Sequence, residues 1–469
     1  MSDRTTRRRP TAVVIGASAA GLLAASALTE QADVLIIDRD TLPEGPETRR
    51  GVPQAHHAHL VWSGGVDAFN NLLPGVVDDV VTRGGRLVHI MGDMVSRAPN
   101  EVWFRRFTNT DHCNLVCSRA LLDAALRDRV LADHNITLLQ NTTAIRLKGT
   151  AEGVTGLRIR KDDQEKTLTA DLVVDASGRG SHTPQWLQDL GLPKVTEREV
   201  NAGVAYATRI YEAPPVVKDS FPLVNVQANP AKSPGQGGII LPIENGRWIV
   251  TLSGTRGGEP TGDPDDFLDF ALSLGDPVIG DLLKNARPIS DVVTTRSTAN
   301  RRRYYEKVNP WPDGFIVVGD AIAGYNPVYG HGLTVAAQCA VAIRKVLRSH
   351  PVTAHGSAER LQKAAARPVS AAWDLAVGQD AFYPGSTDTP PTRAQRLLAR
   401  YVDRCVETGA RNPRALGALL DVMSLRRPPT RLLSTDMLWP MLVGRKKQQL
   451  NAPPLRADEW QSARRRVSE

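Results

Sequence analysis

The chain has 469 residues, 41% of them hydrophobic and 23% charged, a composition of two or three soluble globular domains. No apolar run reaches the roughly 18 residues of a membrane span, so a cytoplasmic protein without such a span is expected. The net charge of +8 comes from short, scattered arginine runs (Arg7 to Arg9, Arg301 to Arg303, Arg464 to Arg466) without interleaved aromatics. That argues against nucleic acid and for a field that attracts an anionic cofactor or acidic substrate. Cys113, Cys117, Cys339 and Cys405 make neither a disulfide framework nor a zinc site.

The stretch Thr11 to Arg39 reads as strand, tight turn, helix and second strand. Val13 to Ile15 is a continuous apolar run, as in a parallel strand buried on both faces. Gly16 to Gly21 follows as G-x-S-x-x-G, then the helix-favouring segment Leu22 to Leu28. The second run ends on Asp38, 22 positions after Gly16, close to the spacing of a ribose-binding acid in a dinucleotide fold. Gly16 permits the sharp exit from the strand, Gly21 allows close packing, and the helix N-terminus faces a pyrophosphate. Ser18 replaces the middle glycine; it is small and its hydroxyl can donate to phosphate. A twin-arginine export signal at Arg7 to Arg9 is the rival reading, opposed by the immediate second strand and the lack of a cleavage site.

After Asp38 comes a long Pro/Gly-rich loop carrying Arg49, Arg50, His56, His57 and His59. No carboxylate or cysteine completes a metal set there, so a loop folded back over a cofactor, with an arginine near it, is expected. Leu60 to Leu73 reads as helix and Arg86 to Phe107 as two strands. Ser118 is placed as the N-cap of another helix. Arg119 in that first turn opposes the helix dipole, and an anion to hold would explain it. Short strands follow at Ile136 to Leu139, Gly156 to Arg160 and Lys166 to Thr169. Then Asp171 to Ser181 repeats the pattern of buried strand, terminal acid (Asp175) and Gly-rich turn.

Residues 202 to 255 hold four strand-like segments, with Asn245-Gly246 a type I′ hairpin signal between the last two. They suggest an antiparallel sheet serving as the floor of a substrate pocket. Phe315 to Leu347 is the second strong site: a buried strand ending in Gly319-Asp320, a Pro/Gly loop, then Gly330-His331-Gly332 opening a long helix. Two closely spaced glycines at a helix start suggest a flat group approaching the backbone. Beyond Ala358 the chain reads as helices, Arg393 to Gly409 and Arg414 to Leu425 being amphipathic. The segment Leu432 to Val443 is expected to pack over the substrate sheet, a membrane surface being the alternative. The final RRRVSE reads as a solvated tail.

Gly16-Ala-Ser-Ala-Ala-Gly21, Asp175-Ala-Ser-Gly178 and Gly319-Asp320-Ala321 with Pro327 and Gly330-His-Gly332, in this order, resemble the glutathione-reductase-like FAD-dependent monooxygenases. RRGVPQAHHAHLVWSGG, CSRALLDAALR, VVDASGRGS, GRWIVTLSGTRGGEP and NPVYGHGLT look more narrowly like the flavin epoxidases of polyether biosynthesis, the lasalocid and monensin type. The resemblance implies an α/β fold. Residues 10–85, 113–195 and 298–357 would form a discontinuous Rossmann-like FAD-binding domain. Residues 86–112 with 196–297 would form an inserted antiparallel substrate domain, and 358–469 a C-terminal helical region.

By the same resemblance, Gly16, Ser18, Ala19, Ala20 and Gly21 would cradle the pyrophosphate of FAD, with Arg50 and Arg119 beside it. Asp38 and Arg39 would lie at the adenosine end, Asp175 and Gly319 along the cofactor, and Asp320 by the ribityl chain. The Gly332 and Leu333 N–H groups would face the pyrimidine ring. Trp248, Tyr325, Pro327 and Tyr329 would line the substrate cavity, Tyr325 and Tyr329 reading equally as packed core tyrosines.

The implied reaction passes one oxygen from the flavin C4a-hydroperoxide to an alkene of a polyketide acid, with reducing equivalents from NAD(P)H, directly or through a flavin reductase, and O2. An alkene attacks such an oxygen unaided, so no catalytic side chain and no metal are assigned. An FAD-dependent aromatic hydroxylase shares every cofactor motif and is the nearest alternative, followed by an isoprenoid double-bond reductase. A flavin-bound regulatory protein would show no substrate-dependent turnover. The W-x-W-x-I-P motif of flavin halogenases is missing, since none of the eight tryptophans stands two from another.

Overall fold

Five short Val/Ile-rich strands form a parallel sheet in the order Phe315–Val317, Leu172–Asp175, Thr11–Ile15, Asp33–Ile37, Ile136–Leu139. The computed structural model describes residues 8–109, 111–217, 220–443 and 448–465. The closing tail from 466 onward and Arg7 of the first arginine run lie outside the described residues. The strands do not alternate polar and apolar residues, because Ala12 to Val14 and Leu172 to Val174 are buried throughout. Helices Ala19–Leu28, Gly332–Leu347 and Ser357–Asp380 contribute to the same core. The register pairs Ile15 with both Asp175 and Ile37, and Asp175 with Val317. The carboxyl ends therefore stop level, and Gly16, Asp38, Ala176 and Val318 all leave the sheet along one edge.

The expected antiparallel sheet is present over residues 205–254. Its order is Arg287–Pro288, Ala205–Glu212, Arg247–Gly254, Gln236–Ile243, Leu223–Val226, and Met94–Arg97 joins in parallel at the far edge. Asn245 and Gly246 both adopt positive φ (63° and 65°), as the hairpin signal requires, while Ile243 pairs with Arg247 and Glu244 joins the loop. Each strand of this floor divides its side chains by parity. Trp248, Val250 and Leu252 pack with helices Asp266–Ser273 and Val278–Leu283 on one face. Ile249, with Leu241 and Ile243, packs on the opposite face against Val88 and Val116.

Trp248 is thereby corrected. It is almost fully buried, its ring 5.0 Å from that of Phe221 and tilted by 32°, on the face turned away from the loop 57–62. An alternating strand lets only one parity reach a given side, and Ile249 and Thr251 take the side next to that loop.

The C-terminal region is helical: Arg393–Gly409 opens with a Thr392/Gln395 capping box, and Pro413–Met423 with Asn412 as N-cap and proline at its first position. Helix Thr435–Leu442 does not cover the substrate sheet. It buries Met437 with Leu416, Leu419 and Leu420 and leaves Trp439 and Leu442 66% and 80% exposed. The later segment adds to the two helices on the outer face of the floor, where Leu450, Leu455, Trp460 and Ala463 join its core. Arg106 and Glu459 clamp that segment down, with Nη1 2.9 and 2.6 Å from the two carboxylate oxygens and both side chains nearly buried. Among the described residues no helix is long and apolar enough to cross a membrane.

Removing one partner of a buried pair strands the other charge. Glu459→Ala is expected to lower the unfolding free energy in urea by about 3–5 kcal/mol, whereas Arg106→Met combined with Glu459→Leu costs much less.

Candidate cofactor site at the carboxyl edge of the parallel sheet

The first turn leaves the sheet at Gly16, whose φ is +101° and where a Cβ would lie 2.8 Å from the Ala176 carbonyl oxygen. At Gly21 a Cβ would fall 1.8 Å from the Gly16 carbonyl oxygen, so the helix rests directly on the turn. Ser18 is the N-cap of Ala19–Leu28 but makes no side-chain cap. Its Oγ instead accepts from Arg119 Nη2 at 3.0 Å, which leaves the hydroxyl proton free to donate outward. Arg119 is buried behind the turn and is held by Asp123 at 2.7 Å. Ser118 caps its helix by accepting from Leu121 N.

Asp38 is buried at the end of the second strand. Its Oδ2 accepts from Ala17 N at 2.7 Å and from Arg49 Nη1 at 2.9 Å, while its Oδ1 accepts from Asp40 N at 2.9 Å. A carboxylate accepts about four hydrogen bonds, so Oδ1 retains capacity for one more donor. The arginine that the loop returns to Asp38 is Arg49, while its neighbour Arg50 is exposed. Arg39 is also exposed, with Asp40 3.9 Å away.

Asp175 is a further correction. It is completely buried, and its oxygens take the Ser177 N–H at 2.9 Å and the hydroxyls of Ser177, Ser181 and Thr183. Four donors saturate the carboxylate, which organises its own turn and has nothing left to offer a cofactor. The residue that the turn presents is Arg179, missed in the sequence although it stands in the quoted ASGRG run. It donates to the Ala299 and Tyr325 carbonyls, and its Nε lies 3.9 Å from Asp320.

Gly319 (φ +63°) packs where a Cβ would meet Ala20 at 2.6 Å, which seats the third strand end against the first helix. Asp320 follows at the edge, its side chain 38% exposed. Crowding by protein raises its pKa, against the opposing pull of Arg179, Arg119 and Arg301. The chain then turns through Pro327–Tyr329 and Gly330, in the left-handed region, into the helix Gly332–Leu347. The first N–H groups of that helix have no helical partner and are available to an acceptor.

Pro327 and Val328 are exposed at this turn. Tyr325 and Tyr329 are both buried, Tyr325 donating to the Val369 carbonyl and Tyr329 to Asp380. Their rings are apolar and their hydroxyls find partners inside the core.

The histidine loop lies over the floor. His57 Nδ1 is 2.8 Å from Thr208 Oγ1, which is 2.7 Å from Thr251 Oγ1. His59 Nδ1 bonds to the His57 carbonyl and His331 Nε2 to the Met423 carbonyl. Burial lowers all three: His57 to about 4, helped by His56; His59 to about 3, helped by Arg119; and His331 to about 4, against its carbonyl bond. Cys117 and Cys339 are pushed up by burial, so neither offers a thiolate. No group of His, Cys, Asp and Glu suited to a metal occurs among the described residues.

A Gly-rich turn at a helix start, an arginine behind it and a second helix start facing the same edge fit a long dinucleotide with a flat ring at one end. Residues 12–184 match the family described as FAD dependent oxidoreductase. The chain is 30% identical over 404 residues to Protein Rv3254 of Mycobacterium tuberculosis, covering 83% of this chain and 84% of that one. It is 26% identical over 370 residues to a kynurenine 3-monooxygenase of Salinispora tropica, covering 74% of each. The structure of PqsL, a probable FAD-dependent monooxygenase from Pseudomonas aeruginosa, superposes with a TM-score of 0.61 at 17% identity, over 84% of this chain and 100% of that one. The protein belongs to the FAD-dependent oxidoreductases, with the mixed α/β fold of flavin monooxygenases and halogenases. It is an enzyme of the flavin monooxygenase type, and FAD is its cofactor.

The buried neutral histidines set an acid limit. Unfolded histidines titrate near 6.5, so between that value and about 4 the unfolded chain binds protons that the fold excludes. Stability is full above pH 6.5 and is expected to fall as pH drops toward 4. The fall should be smaller in His331→Gln, measured by thermal melting across that range.

Proposed function

We propose that this enzyme adds one oxygen atom to an isolated alkene of a large apolar substrate, a polyketide or related natural product, giving an epoxide. The observation that supports this is the chemistry of the floor. On the face toward the histidine loop, its middle carries Thr208, Ile210, Ile239, Leu241, Ile249 and Thr251, of which Ile210 and Ile239 are only partly buried, and no carboxylate or amine is among them. The same loop reaches the turn at Gly330 through Leu60 and Trp62. Aliphatic walls favour a hydrocarbon and exclude water. An isolated alkene carries no ionisable hydroxyl, so it needs no base there.

FAD would lie along the carboxyl edge of the parallel sheet, and when bound it supplies the oxygen-activating chemistry. Gly16, Ala19, Ala20 and Gly21 would approach the pyrophosphate, with the Ser18 hydroxyl donating and Arg119 adding charge from behind. Asp38 would take a ribose hydroxyl on its remaining lone pair, and Asp320 a ribityl hydroxyl. The Gly332 and Leu333 N–H groups would hold the electron-rich edge of the ring. Pro327 and Val328 would wall the substrate side. In this reading the FAD-binding part is assembled from residues 10–85, 113–195 and 298–357. Electrons would come from NAD(P)H, directly or through a flavin reductase, and the oxygen from O2.

A second reading, hydroxylation of an aromatic ring, is favoured by the His57–Thr208–Thr251 chain, which could accept a phenolic proton. Labelled dioxygen separates the two. Label retained in an epoxide of a polyene acid is the expected result; label appearing only in catechols from a phenol panel would move the protein to the aromatic hydroxylases.

The cofactor placement has its own check. Asp320→Ala is expected to weaken FAD by about 1.5–3 kcal/mol, ten- to a hundredfold, in a fluorescence titration. Asp171, which bonds to Thr11 N at the opposite edge, should tolerate alanine without loss of FAD. Equal affinities for the two variants would count against this placement.

A further inference from the structure

Asp380 is the last residue of helix Ser357–Asp380, far in sequence from every cofactor motif, and it is 1% exposed. Its Oδ2 accepts from Asn300 Nδ2 at 2.6 Å and Asn326 Nδ2 at 3.0 Å, and its Oδ1 accepts from the Tyr329 hydroxyl. Among the described residues no cation pairs with it. A buried carboxylate without a counter-ion is costly unless its hydrogen bonds are satisfied, so the three donors must be held where they are. Burial pushes its pKa up, and the hydrogen bonds from Tyr329, Asn326 and Asn300 pull it down.

The donors belong to the turn that opens helix Gly332–Leu347. Asn326 caps it by accepting from Val328 N, and its own N–H donates to Asn300 Oδ1 at 2.7 Å. Asn326 Oδ1 also accepts from the Tyr206 hydroxyl of the floor at 2.9 Å. Strand Asn300–Arg303, the floor, the turn and the long C-terminal helix therefore meet at one carboxylate. The link from Tyr206 to Asp380 runs through an amide, which does not pass a proton as a hydroxyl does. The network orients; it does not relay.

We propose that Asp380 is the positioning residue of the flavin-facing turn, fixing Asn326 to Gly330 so that the Gly332 and Leu333 N–H groups are held ready for the ring. This rests on the FAD placement proposed above. Without Asp380 the buried amides and the Tyr329 hydroxyl lose their common acceptor, and the turn loses its fixed offset from the sheet edge.

The test uses Asp380→Leu, Asp380→Asn and Tyr329→Phe in the full chain, with three readouts. These are FAD affinity by fluorescence titration, the visible absorption bands of bound FAD, and hydrogen–deuterium exchange of the peptide spanning 325–333 in the apoprotein. Asp380→Leu and Tyr329→Phe should weaken FAD about tenfold or more, displace the flavin bands and speed exchange in that peptide. Asp380→Asn, which keeps an acceptor oxygen for the two amides, should recover most of the affinity. Parental affinity, bands and exchange in Asp380→Leu would overturn the proposal. If that variant does not fold, parental values in Tyr329→Phe, which lacks a single oxygen atom, overturn it equally. If the parent itself fails to bind FAD, the cofactor placement falls. Exchange in the apoprotein then decides the network alone: faster exchange confined to 325–333 supports it, and unchanged exchange overturns it.

Discussion

The structure hangs on the register of one parallel sheet. Because Ile15, Ile37, Asp175 and Val317 stand level, four turns leave the same edge, and residues far apart in sequence converge there. A slip of one residue in Phe315–Val317 would carry Gly319 and Asp320 about 3.3 Å along the sheet and exchange the side chains between its two packed faces. Asp320 would lose its neighbourhood of arginines, and Gly319 its seat on Ala20. The buried valines and isoleucines on both faces hold the register, so the core fixes the geometry of the site.

What could be read from the chain follows from how local each signal is. The turn at Gly16 to Gly21, the hairpin at Asn245-Gly246 and the cap at Ser118 are set by backbone sterics and near-neighbour hydrogen bonds, and each sits where its residues place it. The floor sheet was visible as four apolar segments, but its two faces were not. A strand such as Arg247–Gly254, buried along most of its length, gives no polar alternation from which to tell inside from outside. The face that Trp248 takes is illegible for that reason, and a loop such as 49–50 gives no periodicity at all.

Asp175 shows a different limit. An acid at the end of a buried strand looks the same whether it faces a ligand or its own loop. Only the three hydroxyls at Ser177, Ser181 and Thr183 distinguish the cases, and hydroxyl-rich turns are common. Asp380 lies beyond any local reading, since its partners at 300, 326 and 329 reach it only once the fold is formed. For segment 432–443 the sequence does not show which neighbour it chooses, because an apolar side chain such as Met437 packs on helix Pro413–Met423 by the same non-directional attraction that a sheet would offer.

The clamp at Arg106 and Glu459 also has a bearing on the order in which the molecule is made. The floor strands are complete once residue 295 has been added, yet the outer core they share with Leu450, Leu455, Trp460 and Ala463 closes about 150 residues later. At roughly 5–20 residues per second of synthesis, that leaves the floor without its last cover for about 8–30 seconds. During this interval the nascent chain exposes the part of that core which the later segment covers, and exposed apolar surface draws chaperones and invites mispairing. Synthesis rate, as much as equilibrium stability, thus becomes a variable in how much active protein a cell obtains.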